Sequence, residues 1–103
     1  MRLFVAVLTA GLIAASGVSA SERLEDQDYL RLARCAGLTE GSGGDASAIE
    51  AVLRGANRGR AMGVRDRAAT RRGIALREMR GARGEDRARL ESELGARCAL
   101  PAA

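Results

Sequence analysis

Two cysteines, Cys35 and Cys98, constrain this chain more than any other feature, because each sits on the apolar stripe of its own helical segment. Around the first, Tyr29, Leu32, Cys35 and Ala36 recur with the rhythm of one helix face. Around the second, Leu90, Leu94 and Cys98 form a seam at i, i+4 and i+8. A bond between the two sulfurs would span 63 positions and staple the first helix to the last. The spacing also admits two free thiols, a redox pair or an intermolecular bridge. Against redox work, the chain has no CxxC motif. Against zinc, two thiols without histidine fall short of the usual four ligands.

The first twenty residues favour the intramolecular bridge. Arg2 precedes an apolar run from Leu3 to Ala15, and Val18-Ser19-Ala20 supplies small residues at the expected cut. These are the three parts of a secretory signal peptide in order. The run is short of the roughly 20 residues that span a bilayer. No cysteine stands at the cut and no twin-arginine pair precedes the run, so the general secretory route is expected. The expectation is a signal peptide over 1–20 and a single helical domain over 21–103, exported to a periplasm or outside the cell. The arginine-only basic set points to a bacterial, GC-rich source. An oxidising compartment favours a disulfide. No later segment is long and apolar enough to span a membrane.

Composition supports an all-α fold, a small bundle of three or four helices. Alanine, leucine, arginine and glutamate dominate, no strand-like alternation is present, and Pro101 is the one proline. Phe4 and Tyr29 are the only aromatic residues, so the core is thin and the bridge correspondingly important. The first helix is predicted from about Asp26 to Gly37, with Gly37 as a stop. Gly41-Ser42-Gly43-Gly44 reads as a flexible connection. It lacks the Lys-Ser/Thr and preceding strand of a phosphate-binding loop. Ser47 and Glu50 match a capping box opening the second helix, whose stripe is Ile49, Val52, Leu53 and Ala56.

Gly55, Gly59 and Gly63 recur every four residues. This spacing predicts either a kinked or broken helix near Gly63 or a close helix crossing, the former being favoured. From Asp66 to Arg80, Ala68, Ala69, Ala75, Leu76 and Met79 share a face, with Arg72 intruding and Ile74 pointing elsewhere. One long middle helix or two remain open. Gly81–Gly84 is the next turn, and a last helix runs from Glu85 to Cys98 before Leu100-Pro101 ends it.

Charge is uneven. All 17 basic residues are arginine. Residues 21–50 carry a formal charge of −4, residues 51–83 carry +8, and residues 84–103 carry −1. Internal pairing would set Asp26, Asp28, Glu91 and Glu93 against the arginine-rich block. External pairing would use Arg54, Arg58, Arg65, Arg67, Arg71 and Arg72 as a surface for an acidic protein or an anionic envelope component, since the guanidinium fork makes paired hydrogen bonds to carboxylate and phosphate. Nucleic acid is disfavoured by the compartment and by the lack of aromatic stacking platforms.

Enzymatic function is not expected. The chain has no histidine, which excludes Ser-His-Asp and Cys-His arrangements. Its carboxylates fall at helix ends or beside arginines, and a small bundle of short side chains leaves little room for a ligand cavity. No metal or cofactor is implied. The leading expectation is therefore a non-catalytic exported protein that binds an acidic partner through its arginine face. A small exported helical protein with one bridge between distant helices also resembles, in architecture, the periplasmic acid-stress chaperones. That resemblance implies a holdase that exposes helix faces under stress, and it assigns no residue a role. The third expectation is a structural protein with no dedicated ligand.

Overall fold

The computed structural model describes residues 24–100. The expected signal peptide, its cut at Ala20 and the stop at Pro101 lie outside those residues. Four helices and no strands are present among the described residues: α1 (Asp26–Gly41), α2 (Ser47–Ala56), α3 (Met62–Gly81) and α4 (Gly84–Arg97). The fold is thus all-α, and the middle segment is two helices.

α1 is the central helix. It buries Tyr29, Leu30, Leu32, Ala33, Cys35, Ala36, Gly37 and Leu38, residues that point to nearly every side of its axis. A helix apolar all round must be covered all round, and the other three helices cover it. Tyr29, Leu30 and Ala33 meet Ala56, Val64 and Ala68 at the α2–α3 end. Leu32, Cys35 and Ala36 meet Ala46 and Ile49, with Cys98 packed alongside. Leu38 meets Ala75 and Met79 of α3 and Leu90 of α4. Cys35 and Cys98 are bonded, joining α1 to the end of α4 with Cα atoms 5.6 Å apart.

α1 runs four residues beyond the expected stop at Gly37. A Cβ at Gly37 would lie 2.2 Å from the Arg72 carbonyl oxygen, and one at Gly41 would lie 2.7 Å from that of Leu76. These two glycines let α3 rest directly on the α1 backbone. The favoured reading of Gly55, Gly59 and Gly63, a broken helix, holds in the interruption between α2 and α3, while close backbone contact occurs at Gly37 and Gly41. Gly59 takes a positive φ of 75° in the break between α2 and α3, and a Cβ on Gly63 would meet nothing within 4 Å.

The actual end of α1 is built from Ser42-Gly43-Gly44. Gly44 N–H donates to Thr39 O at 2.9 Å and Gly43 N–H to Glu40 O at 3.0 Å, with Gly43 at φ +87°. This is the Schellman arrangement that satisfies the last carbonyls of a helix. The segment expected to be a loose connection thus has a defined backbone geometry. The expected capping box is also absent. Ser47 is the first helical residue, its N–H donates to Asp45 Oδ1 at 2.9 Å, and no side chain caps from the preceding Ala46. Burial of Ala46 beside Leu32 and Ile49 places that residue at the helix start. The carboxylate of Glu50 is drawn away to Arg72.

Candidate functional site

Three arginines act as struts between helices. Arg34 of α1 grips Glu93 of α4 with two hydrogen bonds, Nε to Oε2 at 2.5 Å and Nη2 to Oε1 at 2.9 Å, and reaches Glu78 of α3 at 3.2 Å. Arg72 of α3 grips Glu40 of α1 through Nε at 3.2 Å and Nη2 at 2.6 Å, and its Nη2 also donates to Glu50 of α2. Arg60, in the α2–α3 break, donates to the Ala56 carbonyl at 2.8 Å, to the Leu24 carbonyl and to Asp26 at 2.6 Å. Its guanidinium lies 4.7 Å from the centre of the Tyr29 ring, a cation–π contact, and the Tyr29 hydroxyl donates to Asn57 Oδ1. Each strut exploits the arginine fork, which a lysine ammonium cannot reproduce.

These pairings redraw the expected charge map. Of the four carboxylates expected to neutralise the arginine-rich block, Asp26 does so, through Arg60. Asp28 pairs with Arg31, Glu91 with Arg87 and Glu93 with Arg34, all outside that block. Glu40 and Glu50 take up Arg72 instead. Arg72, placed by sequence on the partner-binding face, is therefore a structural tie. Arg65, Arg67 and Arg71 are exposed and form no ion pair among the described residues, and Arg54 and Arg58 are exposed. Arg77, Arg80 and Arg83 extend the exposed cationic surface beyond the residues singled out from sequence.

The predicted arginine face is also split in two. At about 100° per residue, Arg67 and Arg71 lie roughly 160° and 120° around α3 from Arg65. Arg65, Arg72 and Arg54 line a cleft of about 460 Å³ between α2 and α3. This corrects the expectation that so small a bundle leaves little room for a ligand cavity. The cleft lies where α2 and α3 both pack on α1. Tyr29, Ala33, Leu53 and Ala68 supply apolar lining, with Ala69 and the exposed Met62 nearer the mouth. Glu50, Asn57 and Asp66 add polar atoms.

Hydrogen bonding from Arg72 holds the Glu50 carboxyl below the usual carboxylate range, and the charge of Arg72 adds to the effect. Hydrogen bonding from Arg34 does the same for Glu93, against the opposing effect of burial. A carboxyl whose pKa is lowered on folding contributes stability that is present above its unfolded value and lost as pH falls through its folded value. Unfolding free energy is therefore expected to decline below about pH 4.3. Glu93→Gln should flatten part of that decline and cost about 1 kcal/mol at pH 7. Glu91→Gln, breaking only an i,i+4 pair within α4, should change stability at pH 7 by less than about 0.5 kcal/mol. Denaturant titrations from pH 3 to 7 read both outcomes.

Among the described residues no group of three or more His, Cys, Asp or Glu side chains could hold a metal ion, and no helix is long and apolar enough to cross a membrane. The fold and the site together define an all-α chain, stapled by one disulfide, with an arginine-rimmed cleft. Compared with known protein families, curated proteins and solved structures, the chain matches none.

Proposed function

We propose that this chain is a non-catalytic exported protein that binds an acidic protein partner through the arginines of α2 and α3. The observation that carries the reading is the exposure of Arg65, Arg67 and Arg71 with no ion pair among the described residues. Asp26, Asp28 and Glu40 of α1 and Asp86, Glu91 and Glu93 of α4 are instead engaged by other arginines. Such a surface attracts polyanions, and exposed contacts of this kind weaken as salt shortens the screening length.

Poly-L-glutamate is a suitable probe. Its affinity should fall steeply between low and physiological ionic strength. The triple variant Arg65→Gln, Arg67→Gln, Arg71→Gln should bind about tenfold more weakly, since exposed pairs contribute up to about 1 kcal/mol each. Binding indifferent to salt, or unchanged in the triple variant, rules the reading out.

A second reading is a stress-related holdase. It is favoured by the struts, because each ion pair that Arg34, Arg60 and Arg72 make between helices ends on a carboxylate that acid can protonate. Releasing α4 would uncover Leu38, Ala75 and Met79. Suppression of client aggregation by light scattering at low pH supports it, and no suppression at stoichiometric excess ends it.

A further inference from the structure

We infer that the α2–α3 cleft is the seat of the acidic partner, and that it takes a short helical segment carrying carboxylates beside apolar side chains. The inference rests on the acidic-partner reading and adds where the partner sits and what it must look like. The cleft combines two requirements of a helix-in-groove site. Its apolar lining includes the short side chains Ala33, Ala68 and Ala69 beside Leu53, so another backbone can come close. Its rim carries Arg54 on α2 and exposed Arg65 on α3, one from each wall. A helix lying between the walls would place apolar anchors at i, i+3 or i+4 and i+7 on the floor, with carboxylates flanking them toward the arginines.

Charge arrangement narrows the occupant further. Arg72 lines the same cleft, yet Glu40 and Glu50 already engage it, so it sets the wall instead of competing for the ligand. Asp66 lines the cleft and forms no ion pair among the described residues. It disfavours a partner carboxylate beside it and so restricts register.

A peptide segment suits this lining better than the acyl chain of an anionic lipid. The polar groups of Glu50, Asn57 and Asp66 are interleaved with the apolar ones. An acyl chain would strip their water and return no hydrogen bond, which is costly. Asn57 accepts from the Tyr29 hydroxyl through Oδ1, leaving its amide N–H groups directed to other acceptors. Side-chain carboxylates on a peptide can supply those acceptors.

The test uses the disulfide-bonded chain and a labelled helical peptide with leucines along one face and glutamates beside them, read by fluorescence anisotropy. Ala69→Trp fills the mouth of the cleft without altering charge, and Ala69 is exposed, so the fold should tolerate it. This variant should bind the peptide at least tenfold more weakly while binding poly-L-glutamate within twofold of the parent. Arg54→Gln with Arg65→Gln should also weaken the peptide about tenfold, and it carries the test if circular dichroism shows Ala69→Trp misfolded. Arg89→Gln, exposed on α4 and outside the proposed binding surface, should leave peptide affinity within twofold, and Arg67→Gln with Arg71→Gln should weaken the peptide less than the Arg54 and Arg65 pair does.

Peptide binding that ignores both cleft variants, or is lost to the Arg67 and Arg71 pair instead, overturns the cleft. The acidic-partner reading survives either result provided poly-L-glutamate still binds in a salt-sensitive way. Competition by phosphatidylglycerol vesicles stronger than by unlabelled peptide overturns the inference in favour of lipid. A dimer in sedimentation that Ala69→Trp dissociates overturns it in favour of a second copy of the chain.

Discussion

Replacing both Cys35 and Cys98 by alanine is expected to lower the unfolding free energy by about 4 kcal/mol, the chain-entropy value for a loop of this length. The bridge spans 63 positions and encloses α2, α3 and most of α1's contact with them. For a small domain whose total stability is about 5 to 15 kcal/mol, that is a large share. Alanine is the appropriate replacement at Cys35, which is buried among Leu32, Ala36 and Ile49, because it adds no polar group to that apolar surround. Without the bridge α4 is held by Leu90 and Leu94, by the Arg34–Glu93 pair and by Arg31 donating to the Arg97 carbonyl. Amides of α4 should therefore lose hydrogen-exchange protection before those of α1 and α3. Urea titration of the two proteins, followed by exchange of the variant, checks both statements. A loss below about 1 kcal/mol would show that the bridge contributes little beyond contacts that persist without it.

Gly37→Leu should cost about 3 kcal/mol, the upper end for forcing atoms into a packed interior. The obstacle is backbone. The new Cβ would lie 2.2 Å from the Arg72 carbonyl oxygen and 2.9 Å from the Ala75 Cβ, and neither neighbour is the free end of a long side chain. α3 would have to lift off α1, which also loosens Leu38, Ala75, Met79 and Leu90. Gly95→Ala is the contrasting case. A Cβ at Gly95 meets nothing within 4 Å, and the residue lies inside α4, so the substitution should stabilise by roughly 0.5 to 1 kcal/mol. Opposite signs at two helical glycines, measured by the same urea titration, would confirm that close helix contact is the cause.

The helical class was legible from periodicity within single segments, and the cysteine pairing because each cysteine falls on the apolar stripe of its own segment and two cysteines allow one intramolecular bond. Cys35 and Cys98 stand in phase with Leu32 and Leu94, and that phase survives in the packed molecule. Signals that depend on a second segment were harder to read. Gly37 resembles a helix stop when α1 is considered alone, and only the approach of α3 explains why the helix continues through it. Ser47 and Glu50 have the spacing of a cap, but Arg72, 22 positions from Glu50, competes successfully for the carboxylate.

Arg72 stands in sequence as a charge on an otherwise apolar face, a position that fits its role as a strut better than the partner-binding role expected of it. Arg60 gave no comparable clue, because its partners Leu24, Asp26 and Tyr29 reach it only when the α2–α3 break folds back on the start of α1. The cleft was illegible for a similar reason. It lies between two helices that pack on a third, and no local pattern records how separate helices sit against one another.

The arginine struts have one more consequence, on the alkaline side. A guanidinium keeps its proton far beyond the range in which lysine ammonium groups surrender theirs. Hydrogen bonding to Glu93 and Glu40 strengthens that retention further at Arg34 and Arg72. These ties should thus hold in strongly basic media, giving the molecule a tolerance of pH that is lopsided, broad toward base and narrow toward acid.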